Sequence, residues 1–186
     1  EESTVQTMPS KKQLAAMLDL QNRMNQKVHG KWQEQGFAWY RAAWIECGEL
    51  MDHVGYKWWK KQDTDWPQVQ LEIVDIWHFG LSDVLVRMRT IEQAADFIGA
   101  ELEKYYSEYS GAQLTLHDAT EAMAQSCLVS RSFEVAPFID LMRAANFDFE
   151  ALYTGYVGKN VLNFFRQDNG YKEGTYHKLW DKREDN

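Results

Sequence analysis

The sequence predicts an all-α protein, a helical bundle with a four-carboxylate metal site on two neighbouring helices. Two observations predict the fold class. Only 3 of the 186 residues are proline, and long stretches run without glycine, so the usual helix breakers are scarce. Hydrophobic residues make up 45% of the chain and aromatic residues 14%, which excludes disorder of the whole chain and supplies one sizeable core. The four-carboxylate site rests on the spacing of acids along two of the predicted helices. The chain reads as a single domain, without internal repeats or a low-complexity linker.

The first helix is expected over Lys11–Val28, with Ser10 as its N-cap. A glycine-containing loop follows, from His29 to Gly36, and then a second helix from Phe37 to about Val54. The tryptophan- and lysine-rich loop GYKWWKKQDTDWP leads to a third helix from Gln68 to about Arg89, and a fourth covers Ile91 to about Tyr106. Two more helices fit Asp118–Arg131 and Glu134–Ala145, where Pro137 sits in the first turn. A last helix starts after Asp148 and runs to about Gln167, and residues 168–186 read as an irregular tail closing over the site. The segment before Met8 reads as a disordered remnant of processing.

The formal net charge of −8 disfavours a nucleic-acid polymer as partner. Cys47 and Cys127 are far apart in sequence and lack any pairing motif, so they read as free thiols in a reducing compartment, the cytoplasm. No apolar run approaches the length of a membrane span, and no signal peptide is visible.

The sharpest feature lies between Trp44 and Phe79. Glu46 and Glu49 are spaced i, i+3 on the second helix, and Glu72 and Asp75 repeat that spacing on the third. Trp39, Ala42 and Leu50 share the side of the first pair, and Ile76 and Phe79 flank the second, so the acids lie on faces that pack inward. Antiparallel packing of the two helices makes four acids converge. Like charges about 5 Å apart repel by roughly 3 kcal/mol at an effective dielectric of 20, so the cluster needs cations or protons. Oxygen ligands select hard ions, with Mg²⁺ the default beside phosphates.

On the first helix, Leu14, Leu18 and Val28 define an apolar stripe with Gln21 and Asn25 inside it. Such amides either bond to neighbouring helices or read a ligand, and their paired donor and acceptor suit a pyrimidine edge. Near the C-terminus, Lys159, Asn163 and Arg166 share one helix face, with Asn169 and Lys172 just beyond it. That cationic face is either solvated or complements an acid-bound metal site by holding phosphate. Trp58 and Trp59 either wall a base pocket or pin their loop, and His78 borders the acid face.

These blocks resemble the dimeric dUTPases within the all-α NTP pyrophosphohydrolase superfamily. The matching stretches are LDLQNRMN, WIECGELMD, YKWWKK, EIVDIWHF and GKNVLNFFRQDNGYKEGTY, while the similarity is weak from about Arg89 to Glu150. The resemblance implies that Glu46, Glu49, Glu72 and Asp75 hold two or three Mg²⁺, with Mn²⁺ able to substitute. It implies that Gln21, Asn25, Trp59 and His78 surround uracil, with Phe79 packing near base and sugar. Lys159, Asn163, Arg166, Asn169 and Lys172 would then hold the phosphates. It further implies a homodimer, with Trp59 serving the partner's site, and hydrolysis of dUTP and dUDP to dUMP by attack at the β phosphorus. Glu46 is the favoured base and Glu49 the second choice. Rival readings are a sister enzyme acting on dCTP or a modified nucleotide, a carboxylate-bridged di-iron protein, and a non-catalytic interaction protein. The di-iron reading has only one D-x-x-H, Asp75 to His78, in its favour.

Overall fold

The computed structural model describes residues 8–170, Gly174, and the backbone of residues 179–180 and 183–184. The expectations for residues 1–7 and for Lys172 lie outside the described residues. The described chain folds into α1 (Lys11–Val28), a 3₁₀ turn (Trp32–Glu34), α2 (Trp39–Val54), α3 (Trp66–Met88), α4 (Ile91–Ser107), α5 (Leu116–Ser130), α6 (Val135–Ala144) and α7 (Phe149–Asp168). Beyond them, β1 (Leu179–Trp180) and β2 (Arg183–Glu184) pair antiparallel, so the tail is not wholly irregular.

Local chemistry sets most of the boundaries. The Ser10 hydroxyl accepts from the Gln13 amide at 3.1 Å and the Gln13 side chain accepts from the Ser10 amide at 3.0 Å, a capping box that fixes the start of α1. Asp65, Thr90, Thr115 and Asp148 cap α3, α4, α5 and α7 through their side chains. The Asp65 cap starts α3 two residues ahead of the expected Gln68, with Pro67 tolerated in the first turn. α2 begins at Trp39 rather than Phe37, and its cap position, Ala38, makes no side-chain bond.

α3 is the axis of the molecule. Val69, Ile73, Trp77, Leu81 and Val84 are buried on one part of its surface, and Val74 and Leu85 on others, so it is covered nearly all round. α1, α2, α4 and α7 all pack on it. The loop at 55–65 folds back on itself, since the Thr64 hydroxyl donates to the Val54 carbonyl at 2.8 Å and the Asp65 amide to the His53 carbonyl at 2.9 Å. The end of α2 therefore meets the start of α3, and the two helices run antiparallel.

Two contacts hold α3 against the turn between α5 and α6. A Cβ at Gly80 would lie 2.6 Å from the Phe133 ring, so only glycine lets that ring seat there. Three residues on, the Asp83 carboxylate accepts from the Phe133 amide and from Arg87 Nε, both at 2.9 Å. Arg87 in turn donates to the Phe133 carbonyl at 2.9 Å. Cys47 and Cys127 are free and buried on the packed helices α2 and α5. Among the described residues, no helix is long and apolar enough to cross a membrane.

Candidate active site

Antiparallel packing brings the acids of α2 and α3 to one place. Glu46, Glu72 and Asp75 each offer an oxygen, and these atoms all lie within 4.8 Å of one another. Glu49 lines the same cavity but is exposed and stands outside that tight group. The expected convergence of four acids thus narrows to three, with the fourth toward solvent. Burial, the bond and charge of Glu72, and the nearby Asp75 and Glu49 push the Glu46 carboxyl far up. Burial also raises Asp75, against the pull of Lys159, to about 6. Glu46 Oε2 and Glu72 Oε2 are buried and make no hydrogen bond to protein. An all-oxygen donor set with two buried unpaired carboxylate oxygens fits a hard divalent cation.

α7 supplies another wall of the same cavity, of about 770 Å³. Lys159, Asn163 and Arg166 line it, as their shared helix face predicts. Lys159 Nζ lies 3.9 Å from Asp75 Oδ1 with its side chain only 11% exposed, so this cation is not part of a solvated face. Arg166 is buried too.

Gln21 and Asn25 of α1 line the cavity together with His78 and Phe79 of α3. The apolar stripe around the amides is Leu14, Met17, Leu18 and Met24, whereas Val28 is exposed at the helix end. The amides are bonded to neighbouring helices and also face the cavity, so the two readings of them are compatible. Gln21 Nε2 donates to Asn25 Oδ1 at 2.9 Å, and Asn25 Nδ2 donates to Ser82 Oγ at 2.9 Å. Burial, aided by the Lys159 charge, pushes His78 down to about 3, so its ring is neutral at physiological pH. Trp39 adds an aromatic wall, its ring 6.3 Å from that of Phe79.

Among the described residues, two expected ones are not brought to this cavity. Trp59 is 60% exposed, packed against Trp58 and Tyr56 in the loop rather than on the site of its own chain. Asn169 is spent on capping α7, its Nδ2 donating to the Phe165 carbonyl at 2.8 Å. Lys172 lies outside the described residues.

Other lining residues escaped the sequence reading, among them His53, Asp65 and Gln68. His53 Nε2 is 3.6 Å from Glu72 Oε1. Its signal was present, since it follows Glu46 by seven residues and Glu49 by four, which is one helix face. Gln68 carried the same kind of signal, four residues before Glu72 and seven before Asp75, whereas Asp65 had none, because the fold of the 55–65 loop decides where α3 begins.

A comparison with curated proteins finds no match. Residues 13–171, which contain every element that builds the cavity, match the family model described as dUTPase, dUTPase_2. The chain therefore belongs to the all-α dUTPase family and is a dUTP diphosphatase.

Proposed function

We propose that the protein hydrolyses dUTP, and dUDP with it, to dUMP with Mg²⁺ as its ion, two or three per site, and with Mn²⁺ able to replace it. The observation that carries this reading is the meeting of acids and cations in one cavity. Glu46, Glu72 and Asp75 line it together with Lys159, Asn163 and Arg166. A polyphosphate with its cations is the ligand chemistry that satisfies both.

Glu46, Glu72 and Asp75 would hold the ions, with Glu49 completing the set. When bound, Mg²⁺ supplies compensation of phosphate charge and makes water a better proton donor. Glu46 takes the proton of the attacking water. Its Oε2 is buried and makes no hydrogen bond to protein, which leaves that oxygen open to the proton. Glu49, one turn along, is the second choice. The water oxygen bonds to the β phosphorus, the bond from that phosphorus to the bridging oxygen breaks, and dUMP departs with that oxygen. Lys159 and Arg166 offset the charge that grows on the departing group. Gln21, Asn25 and His78 read the base, with Phe79 and Trp39 against its faces.

A homodimer in which Trp59 closes the partner's site accounts for the exposure of that ring in a single chain. The test is a hydrolysis panel in Mg²⁺ with dUTP, dUDP, dTTP, dCTP and UTP, following phosphate and pyrophosphate. Preference for dUTP and dUDP supports the reading, and a preference for dCTP moves it to a sister activity. Hydrolysis in ¹⁸O-water labels pyrophosphate for attack at the β phosphorus and dUMP for attack at the α. Glu46→Gln is expected to fold and to lose turnover by several orders of magnitude, and retained activity removes it from the base role.

A further inference from the structure

We infer that Tyr156 and Ser82 are positioning residues for base selection, the two ends of a hydrogen-bond relay that fixes which way the amides of Gln21 and Asn25 face. This rests on the reading above, in which those amides contact the base. Both residues are fully buried, Tyr156 on α7 and Ser82 on α3, and neither lines the cavity.

The bonds run in one direction along the relay. The Tyr156 hydroxyl shares its one hydrogen between Gln21 Oε1 at 2.9 Å and the Met17 carbonyl at 3.0 Å, and it accepts from Asn160 Nδ2 at 3.2 Å. With its oxygen toward the phenol, Gln21 turns its NH₂ to Asn25 Oδ1. Asn25 must then turn its own NH₂ to Ser82 Oγ. Ser82 donates its single hydrogen to the His78 carbonyl at 3.0 Å, so its oxygen is left to accept.

Neither amide can therefore turn over alone. A flip of one sets NH₂ against NH₂ or oxygen against oxygen in a buried place, where an unpaired group is costly. Reversal needs both amides and both hydroxyls to change together. The base edges differ in the same property. Uracil presents acceptor, N–H donor and acceptor, whereas cytosine presents two acceptors and an amino donor. An amide held in one orientation matches one of these patterns, and an amide free to flip matches either. The relay thus turns two adaptable side chains into fixed ones, and fixed polarity is what rejects the wrong pyrimidine.

The test compares Tyr156→Phe, Ser82→Ala and Asn25→Ala with the unmodified protein. Each is assayed for kcat and KM on dUTP and dCTP, and for the rise in Tm caused by Mg²⁺. Tyr156→Phe and Ser82→Ala are expected to lower the ratio of kcat/KM for dUTP over dCTP by about tenfold, the worth of one hydrogen bond. The change should lie in KM for dUTP, with the Mg²⁺-induced rise in Tm unaltered. Because the two residues sit on different helices, either variant carries the test if the other fails to fold. Equal losses on both nucleotides, or an unchanged ratio while Asn25→Ala collapses it, overturn the relay and leave base reading by Asn25 intact. A ratio unmoved by Asn25→Ala as well overturns the base site itself.

Discussion

Replacing Glu72 by glutamine should make the metal-free protein more stable and the Mg²⁺-bound protein relatively less so. Glu72 is 7% exposed, and its carboxylate lies within 4.8 Å of oxygens of both Glu46 and Asp75. A unit-charge pair at 4.8 Å repels by roughly 3.5 kcal/mol at an effective dielectric of 20. Glu46, pushed far up, holds a proton when no cation is present, so the repulsion that remains is chiefly with Asp75. The substitution removes that repulsion, loses a His53 contact at 3.6 Å, and buries an amide N–H₂. A net gain of about 1–2 kcal/mol remains, equivalent to a Tm higher by roughly 3–6 °C for a chain of this size. In Mg²⁺ the order reverses. Saturation to about a hundred times Kd adds ~2.7 kcal/mol to the unmodified protein, while the variant has lost a ligand oxygen and gains less. Scanning calorimetry in EDTA and in Mg²⁺ measures all four values. A lower metal-free Tm for Glu72→Gln, or an equal Mg²⁺-induced rise in both proteins, refutes the idea that mutual repulsion of these acids is what the cation relieves.

The same cluster gives the metal-free protein a pH dependence. A carboxyl raised by folding favours the folded state below its unfolded pKa, and that advantage is lost as pH climbs through the folded value. For Asp75 this window runs from 3.8 to about 6 and amounts to ~3 kcal/mol at most. Urea melts in EDTA at pH 4, 5 and 6 should show a smaller fall in stability with rising pH for Asp75→Asn than for the unmodified protein, and equal slopes in the two proteins count against it. Lys159→Met should raise KM for dUTP by tenfold or more while the fold survives, because it removes a cation whose side chain is 11% exposed and faces the acids; unchanged steady-state KM would remove Lys159 from the phosphate site. Gly80→Ala should cost about 1–3 kcal/mol despite the better helix propensity of alanine. The ring it strikes is buried and packed against both Trp77 and Phe138, and a Tm equal to or above the parent's would contradict that packing.

Residues that act within one helix were the legible ones. The i, i+3 acid pairs and the i, i+4, i+7 spacing of Lys159, Asn163 and Arg166 specify a face, and the structure places both faces on one cavity. Boundaries with a capping side chain, such as Ser10 and Asp148, were legible for the same reason. What depends on tertiary approach was not. The tight grouping of Glu46 with Glu72 and Asp75, without Glu49, is a matter of distances between two helices, which no spacing rule encodes. Tyr156 carries no spacing signal, and only the packing of α7 on α1 makes its hydroxyl a partner of Gln21. Trp59 is a third kind of case. The sequence marks it as unusual, and a single chain leaves it exposed, so its role depends on what lies outside that chain.

The acids explain why the rest of α3 is built as it is. A helix that carries Glu72 and Asp75 into a half-closed cavity bears a repulsion that the fold must hold in place until cations arrive. The remainder of α3 supplies that restraint. Trp77 stacks on Phe138 with ring centres 5.2 Å apart, and the Asp83–Arg87–Phe133 bonds lock the far half of the helix to the α5–α6 turn. On this view Asp83 is the stabilising counterpart of Asp75 on the same helix, one carboxylate satisfied by protein donors and the other left needing a cation. Asp83→Asn should then cost about 2 kcal/mol of stability, as for a buried charge-assisted pair, and lower Tm equally with and without Mg²⁺. A loss that Mg²⁺ abolishes would mean that the two halves of α3 are not mechanically separate, and that the cluster is held by its cations rather than by the helix.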